Sequence, residues 1–157
     1  MIPKSLIAKL IATWFYCGYT PVGPGTAGSI AAIVLAWVVH YYTGLPGTAF
    51  GFFAALLVIP GVWAADVMAR QSGKEDPQIV VVDEVVGQWV TLAGATQLNW
   101  KSWLIALALF RLFDIWKPPP IRRLEKLSGG IGIVADDALA GVYGAVALFA
   151  AGWFHLY

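Results

Sequence analysis

Asp83 and Glu84 stand side by side in a run that is otherwise apolar, with Ile79-Val80-Val81-Val82 before them and Val85-Val86-Gly87 after. Ionised carboxylates are costly in apolar surroundings unless something cationic compensates them. A chain that places two together needs a polar niche of its own making. Three other polar clusters recur along the sequence: Gly23-Pro24-Gly25-Thr26, Asp114-Ile115-Trp116-Lys117 and Asp136-Asp137. The expectation is that all four meet at one membrane face and hold a metal ion and a phosphate.

Composition brings in the membrane. The 157 residues are 59% hydrophobic and 12% charged, where ordinary globular chains are roughly a quarter charged. Ten basic and nine acidic side chains barely supply a soluble surface. The fold class expected is all-α: a polytopic integral membrane helical bundle with an N-terminal interfacial helix and about five transmembrane segments, one domain over residues 1–157. The net charge of +1 says nothing about nucleic acid, but no basic run beyond Arg122-Arg123 is present, so no nucleic-acid partner is expected. The single Cys17 excludes an internal disulfide and any multi-cysteine metal site, and reads as a packing residue. Lys4 and Lys9 interrupt the first apolar run and no small-residue cleavage site follows, so it is not read as a cleaved signal.

In chain order, residues 3–17 predict an interfacial helix with Trp14, Phe15 and Tyr16 near the headgroups. Residues 18–29 read as a Gly/Pro loop, with Thr26 or Ser29 capping the apolar segment 29–42. Segment two is 47–65, open to a kink at Pro60-Gly61; segment three is 77–96, with Asp76 as N-cap and Pro77 at the first helical position. Only some 12 apolar residues follow Glu84, about 18 Å of helix, so the two carboxylates belong near a membrane face. Segments four and five are 102–117 and 135–155. His40 and His155 fall at the outer ends of segments one and five and read as interfacial.

Lys4, Lys9, Arg70, Lys74, Lys117, Arg122, Arg123 and Lys126 all fall on one side of this threading, and Lys101 on the other. The positive-inside rule makes the first side cytoplasmic. The Gly loop and all the acidic motifs then arrive at that same face, although the basic residues alone set the orientation.

Five carboxylates, Asp83, Glu84, Asp114, Asp136 and Asp137, are hard oxygen ligands suited to Mg²⁺, with waters and substrate phosphate completing the shell. Arg111, Asp114 and Lys117 share a helix face if the helix continues that far. They would form one ridge in which Asp ligates metal and the cations hold phosphate oxygens, or an internal ion pair. Pro118-Pro119-Pro120 ends that helix. The Gly loop before a helix start is a phosphate-cradling arrangement through free backbone N–H groups, joined by Thr26 and Ser29, or else a plain turn and cap. Gly129-Gly130-Ile131-Gly132 is a hinge or a second phosphate-facing turn. Gly141 and Gly144 allow close helix packing. A cysteine phosphatase needs Cys, five residues, then Arg, but Gly23 stands at that spacing from Cys17. No Asp-x-Asp start or suitably placed His is present. That leaves metal-activated water with a carboxylate as base. The expected catalytic residues are Asp83, Glu84, Asp114 and Asp137. The expected phosphate-binding set is Gly25, Thr26, Ser29, Arg111 and Lys117.

Gly23-Pro24-Gly25-Thr26-Ala27-Gly28-Ser29, Asp76-Pro77 leading to Val82-Asp83-Glu84-Val85-Val86-Gly87, Phe110-Arg111-Leu112-Phe113-Asp114-Ile115-Trp116-Lys117-Pro118 and Gly129-Gly130-Ile131-Gly132-Ile133-Val134-Ala135-Asp136-Asp137 with Ala140-Gly141 resemble the A-type phosphatidylglycerophosphatases. The stretches occur in that family's order and span residues 23–141. The resemblance implies a Mg²⁺-dependent phosphatase of the bacterial inner membrane, its site facing the cytoplasm. Its lipid substrate would be phosphatidylglycerophosphate, converted to phosphatidylglycerol and inorganic phosphate. A cation-coupled transporter using the same carboxylates is the main alternative, and a purely structural membrane subunit the second. No oligomeric state is assigned.

Overall fold

A computed structural model describes residues 4–157, which form seven α-helices, one 3-10 turn and no strand. Residues 1–3, which include the expected start of the interfacial segment, lie outside the described residues. The helices are α1 (Lys4–Ala12), α2 (Pro24–Thr43), α3 (Gly47–Ser72), α4 (Val82–Leu92), α5 (Trp100–Trp116), α6 (Ile121–Leu124) and α7 (Gly130–Trp153).

The bundle is wrapped around α4. Nine of its eleven residues are buried, and α2, α3, α5 and α7 all pack against it. Running antiparallel to α3, it places Val82 near Gly61, and Leu92 near Gly47. Beside α7 it runs parallel. A side chain on Gly141 would overlap the Gly87 carbonyl, and one on Gly144 would meet Thr91. The Thr91 hydroxyl donates to the carbonyls of Gly87 and Gly141 at 3.0 and 3.2 Å. Small residues here let two backbones touch, as expected for Gly141 and Gly144.

Among the described residues three helices, not five, are both long and apolar enough to cross a membrane: α2, α3 and α7. Their outer faces expose Trp37, Phe52, Ile59, Val146 and Phe149, an apolar surface far beyond what water-facing helices carry. With 11 residues, α4 covers about 16 Å, and α5 has 17 residues. The expected start of segment three at Pro77 does not occur. Residues 79–81 instead run past the end of α1, where the Val81 N–H donates to the Ala12 carbonyl at 2.8 Å and Gly18 lies against Ile79. A helix begun at Pro77 would need the Val81 N–H for the Pro77 carbonyl four residues back, and that donor is already used.

Other boundaries shift for local reasons. The first helix stops at Ala12, and Trp14, Phe15 and Tyr16 follow in left-handed backbone. Trp14 turns inward onto Trp89, ring centroids 5.5 Å apart, while Phe15 and Tyr16 stay exposed. The Gly loop is itself the first turn of α2, capped by Gly23 at φ 61° with Pro24 at its start, so neither Thr26 nor Ser29 caps it. Pro60 lies inside α3. Gly130 and Gly132 belong to α7 rather than to a hinge: Gly130 packs on the Val62 carbonyl and Gly132 on the Leu127 carbonyl.

The alternation of α2, α3, α4, α5 and α7 brings five helix ends to one pole of the bundle. They are the starts of α2, α4 and α7 and the ends of α3 and α5.

Candidate metal and phosphate site

At that pole lies a cavity of about 260 Å³ lined by Asp83, Glu84, Asp114, Lys117, Asp136 and Asp137, among others. Every acidic residue expected from the sequence reaches it. Three of the five carboxylates come closest together. Asp83 and Glu84 from α4 and Asp137 from α7 each bring an oxygen within 4.8 Å of the other two. The parallel α4–α7 contact at Gly87 and Gly141 creates this meeting, since one turn closer to the pole the same two helices carry the acids.

Two unit charges at 4.8 Å repel by roughly 3.5 kcal/mol at an effective dielectric of about 20. Three such pairs are costly to keep ionised unless cations offset them. Asp83 Oδ1 and Glu84 Oε2 are buried and have no hydrogen-bond partner. Unsatisfied buried acceptors on adjacent carboxylates are what a divalent ion would satisfy, and an all-oxygen set favours a hard one. The residues present fit such an ion.

The other two acids are tied to cations. Asp114 Oδ2 pairs with Arg111 Nη1 at 2.5 Å, and Glu84 Oε1 lies 3.8 Å from the same nitrogen. Lys117 Nζ donates to Asp136 Oδ2 at 2.6 Å and to Glu125 Oε1 at 3.3 Å. The expected ridge therefore splits. The helix ends at Trp116, and Lys117 adopts left-handed backbone at φ 46°, which swings its ammonium across to α7. Burial alone would lower the Lys117 pKa. The hydrogen bond and charge of Asp136, aided by Asp137 and Glu125, outweigh it and hold the group above its ordinary value. Lys117 is thus a fixed positive charge at the cavity wall.

The start of α2 touches this cluster from the side. A side chain on Gly25 would overlap Glu84 Oε1 and come within 3.1 Å of Arg111 Nη1. Gly25 and Thr26 follow Pro24 in the first turn, where backbone N–H groups have no partner within the helix. Thr26 is exposed. Ser29 is buried, and its hydroxyl donates to the Gly25 carbonyl at 2.9 Å. Neither Gly25, Thr26, Ser29 nor Arg111 lines the cavity itself.

Sequence reasoning did not single out Glu75, Asp76, Glu125, Lys126 and Ser128 as site residues, yet all five line it. Asp76 was within reach, since it belongs to the same acidic stretch as Asp83. Glu125 carried no signal: it lies past three prolines, and only the fold brings it to Lys117. Lys117→Ala should lower kcat/KM about 10–100-fold, the worth of one charged hydrogen bond, and leave metal affinity near normal. Loss of metal affinity equal to that of a carboxylate variant would make Lys117 a structural clamp for the ligands.

Residues 10–152 match the family model described as phosphatidylglycerophosphatase A. A phosphatidylglycerophosphatase A of Escherichia coli is 36% identical over 141 residues, covering 89% of this chain and 80% of its own length. That of Haemophilus influenzae is 39% identical, covering 90% and 86%. A Bacteroides thetaiotaomicron protein, whose name provisionally gives a phosphatidylinositol-3-phosphatase, is 41% identical, covering 95% and 96%. No solved structure matches.

Proposed function

This chain belongs to the phosphatidylglycerophosphatase A family of phosphatases, and from that premise we propose that it hydrolyses phosphatidylglycerophosphate to phosphatidylglycerol and inorganic phosphate, with Mg²⁺, at the cytoplasmic face of a bacterial inner membrane. The observation that carries the chemistry is the meeting of Asp83, Glu84 and Asp137 within 4.8 Å, beside a lysine fixed in its charged form.

In this reading Asp83, Glu84 and Asp137 hold the ion, and Asp136 contributes through Oδ1, which is buried without a partner. When bound, Mg²⁺ supplies polarisation of the phosphate and a more acidic water. Lys117 donates to a phosphate oxygen and offsets charge as it builds. Arg111, held by Asp114 just outside the cavity, adds positive charge near the phosphate, and the free N–H groups of Gly25 and Thr26 add donors at the edge. Ser29 supports them by holding the Gly25 carbonyl.

Phosphate release from phosphatidylglycerophosphate by the purified protein in detergent tests the reading. Release is expected with Mg²⁺, lost after EDTA and restored by added Mg²⁺. Full activity after exhaustive chelation removes the metal, and no release under any condition removes the substrate. Phosphatidylinositol 3-phosphate belongs in the same assay, because the Bacteroides relative covers nearly the whole chain. Orientation has its own test. The site is at the start of α7, so the C-terminus lies at the opposite pole, and alkaline phosphatase fused there should be active. An inactive fusion reverses the proposed orientation.

A further inference from the structure

The carboxylate cavity is too small for a two-chain lipid, which raises the question of where the rest of the substrate lies. A second, larger groove of about 740 Å³ runs between α3 and the start of α7. Glu75, Ser128 and Gly129 line both spaces, so the two adjoin at these residues. The groove floor forms where Gly130 lets α7 sit directly on the α3 backbone at Val62.

Its walls change character along its length. Beside the apolar stretch of α3 they are Ile59, Val62, Trp63 and Ile131. Ile59 is 80% exposed, on a helix apolar enough to cross a membrane. Toward the cavity they are Arg70 and Lys74. Arg70 Nε is pinned to Asp66 at 2.9 Å while its side chain stays 79% exposed. That contact neutralises Asp66 and leaves the guanidinium's other donors free. Lys74 makes no ion pair among the described residues, and Glu75 stands at the junction.

We propose that this groove binds the diacylglycerol phosphodiester of the substrate: one acyl chain along the apolar wall, and the bridging phosphodiester at Arg70 and Lys74. The terminal phosphate monoester then enters the carboxylate cavity past Glu75 and Gly129. An apolar wall that faces the bilayer, followed by two cations and then by a metal-binding cavity, matches the order of groups in such a lipid. The inference rests on the lipid-phosphatase reading. It assigns recognition of the diester and chain to residues outside the acidic motifs, and it holds for any glycerophospholipid ending in a phosphate monoester.

The test separates the groove from the reaction. Fluorescent phosphatidylglycerol, which has the diester and chains but no monoester, is bound to the detergent-solubilised protein and to the Arg70→Gln/Lys74→Gln double variant. Affinity should fall about tenfold in the variant, as for lost charged hydrogen bonds. KM for phosphatidylglycerophosphate should rise about tenfold with kcat within about twofold. Hydrolysis of glycerol 3-phosphate, which has neither diester nor chain, should not change. Trp63→Ala should weaken lipid binding in the same way without altering the melting temperature. Equal lipid affinity in native and double-variant protein overturns the groove, as does an equal loss on glycerol 3-phosphate. If the native protein releases no phosphate from any lipid, the phosphatase reading fails, while the binding measurement still decides the groove.

Discussion

Replacing Asp83 by Asn and Glu84 by Gln together will lower turnover by more than about 10³, the scale of lost electrostatic stabilisation in a transition state. Both changes keep side-chain volume, so packing around α4 should survive. What is lost is charge. Of the three carboxylates that share one point only Asp137 would keep its charge, with Asp136 beside it, and the site would lose two of its anionic ligands for a divalent ion. The measurement is paired: phosphate release, and Mn²⁺ binding to chelator-stripped protein. Both should fall together, while the melting temperature without metal stays level or rises, because mutual repulsion between the acids is relieved. Asp137→Asn should show the same pattern. Near-normal turnover in the double variant would sink the metal site. Lost turnover with intact Mn²⁺ binding would move these two residues from ligands to some other role.

Gly25→Val will abolish measurable activity while leaving the fold intact, and Gly141→Ala will instead lower thermal stability. The two glycines meet different neighbours. At Gly25 a new side chain runs into the Glu84 carboxylate, the free end of a side chain that can move. The cost is a displaced ligand, pushed away from Asp83 and Asp137. At Gly141 the new side chain runs into the backbone of Gly87, which cannot move without parting α4 from α7. Overpacking of that kind costs about 1–3 kcal/mol. Thermal unfolding and Mn²⁺ affinity, measured on both variants, distinguish the cases. A Gly25→Val protein that fails to fold would show that the start of α2 is a structural turn. One that folds and binds Mn²⁺ normally but lacks activity would leave its free N–H groups as the only contribution of this turn.

The membrane class was legible because too few charged side chains are present to cover a soluble surface. The acidic positions were legible too: Asp83-Glu84 and Asp136-Asp137 are conspicuous in apolar runs, and an odd number of alternating segments must deliver them to one pole. Helix breaks written in local chemistry also came through, such as the end of α5 before three prolines. Tertiary structure decided the rest. Pro77 does not start a helix, because the Val81 N–H is taken by Ala12, a residue nearly seventy positions earlier. Hydropathy alone counts α4 as a span, yet it is an 11-residue core helix, because burial by protein and burial by lipid select the same residues. The division of the five carboxylates was equally hidden. Spacing on α5 puts Lys117 in line with Arg111 and Asp114, but one left-handed residue after the last turn sends it to Asp136 instead. Sequence identifies which charges must be compensated, since that depends on composition. Which charge meets which is set by the distance of closest approach between helices, and here that is fixed where Gly87 faces Gly141.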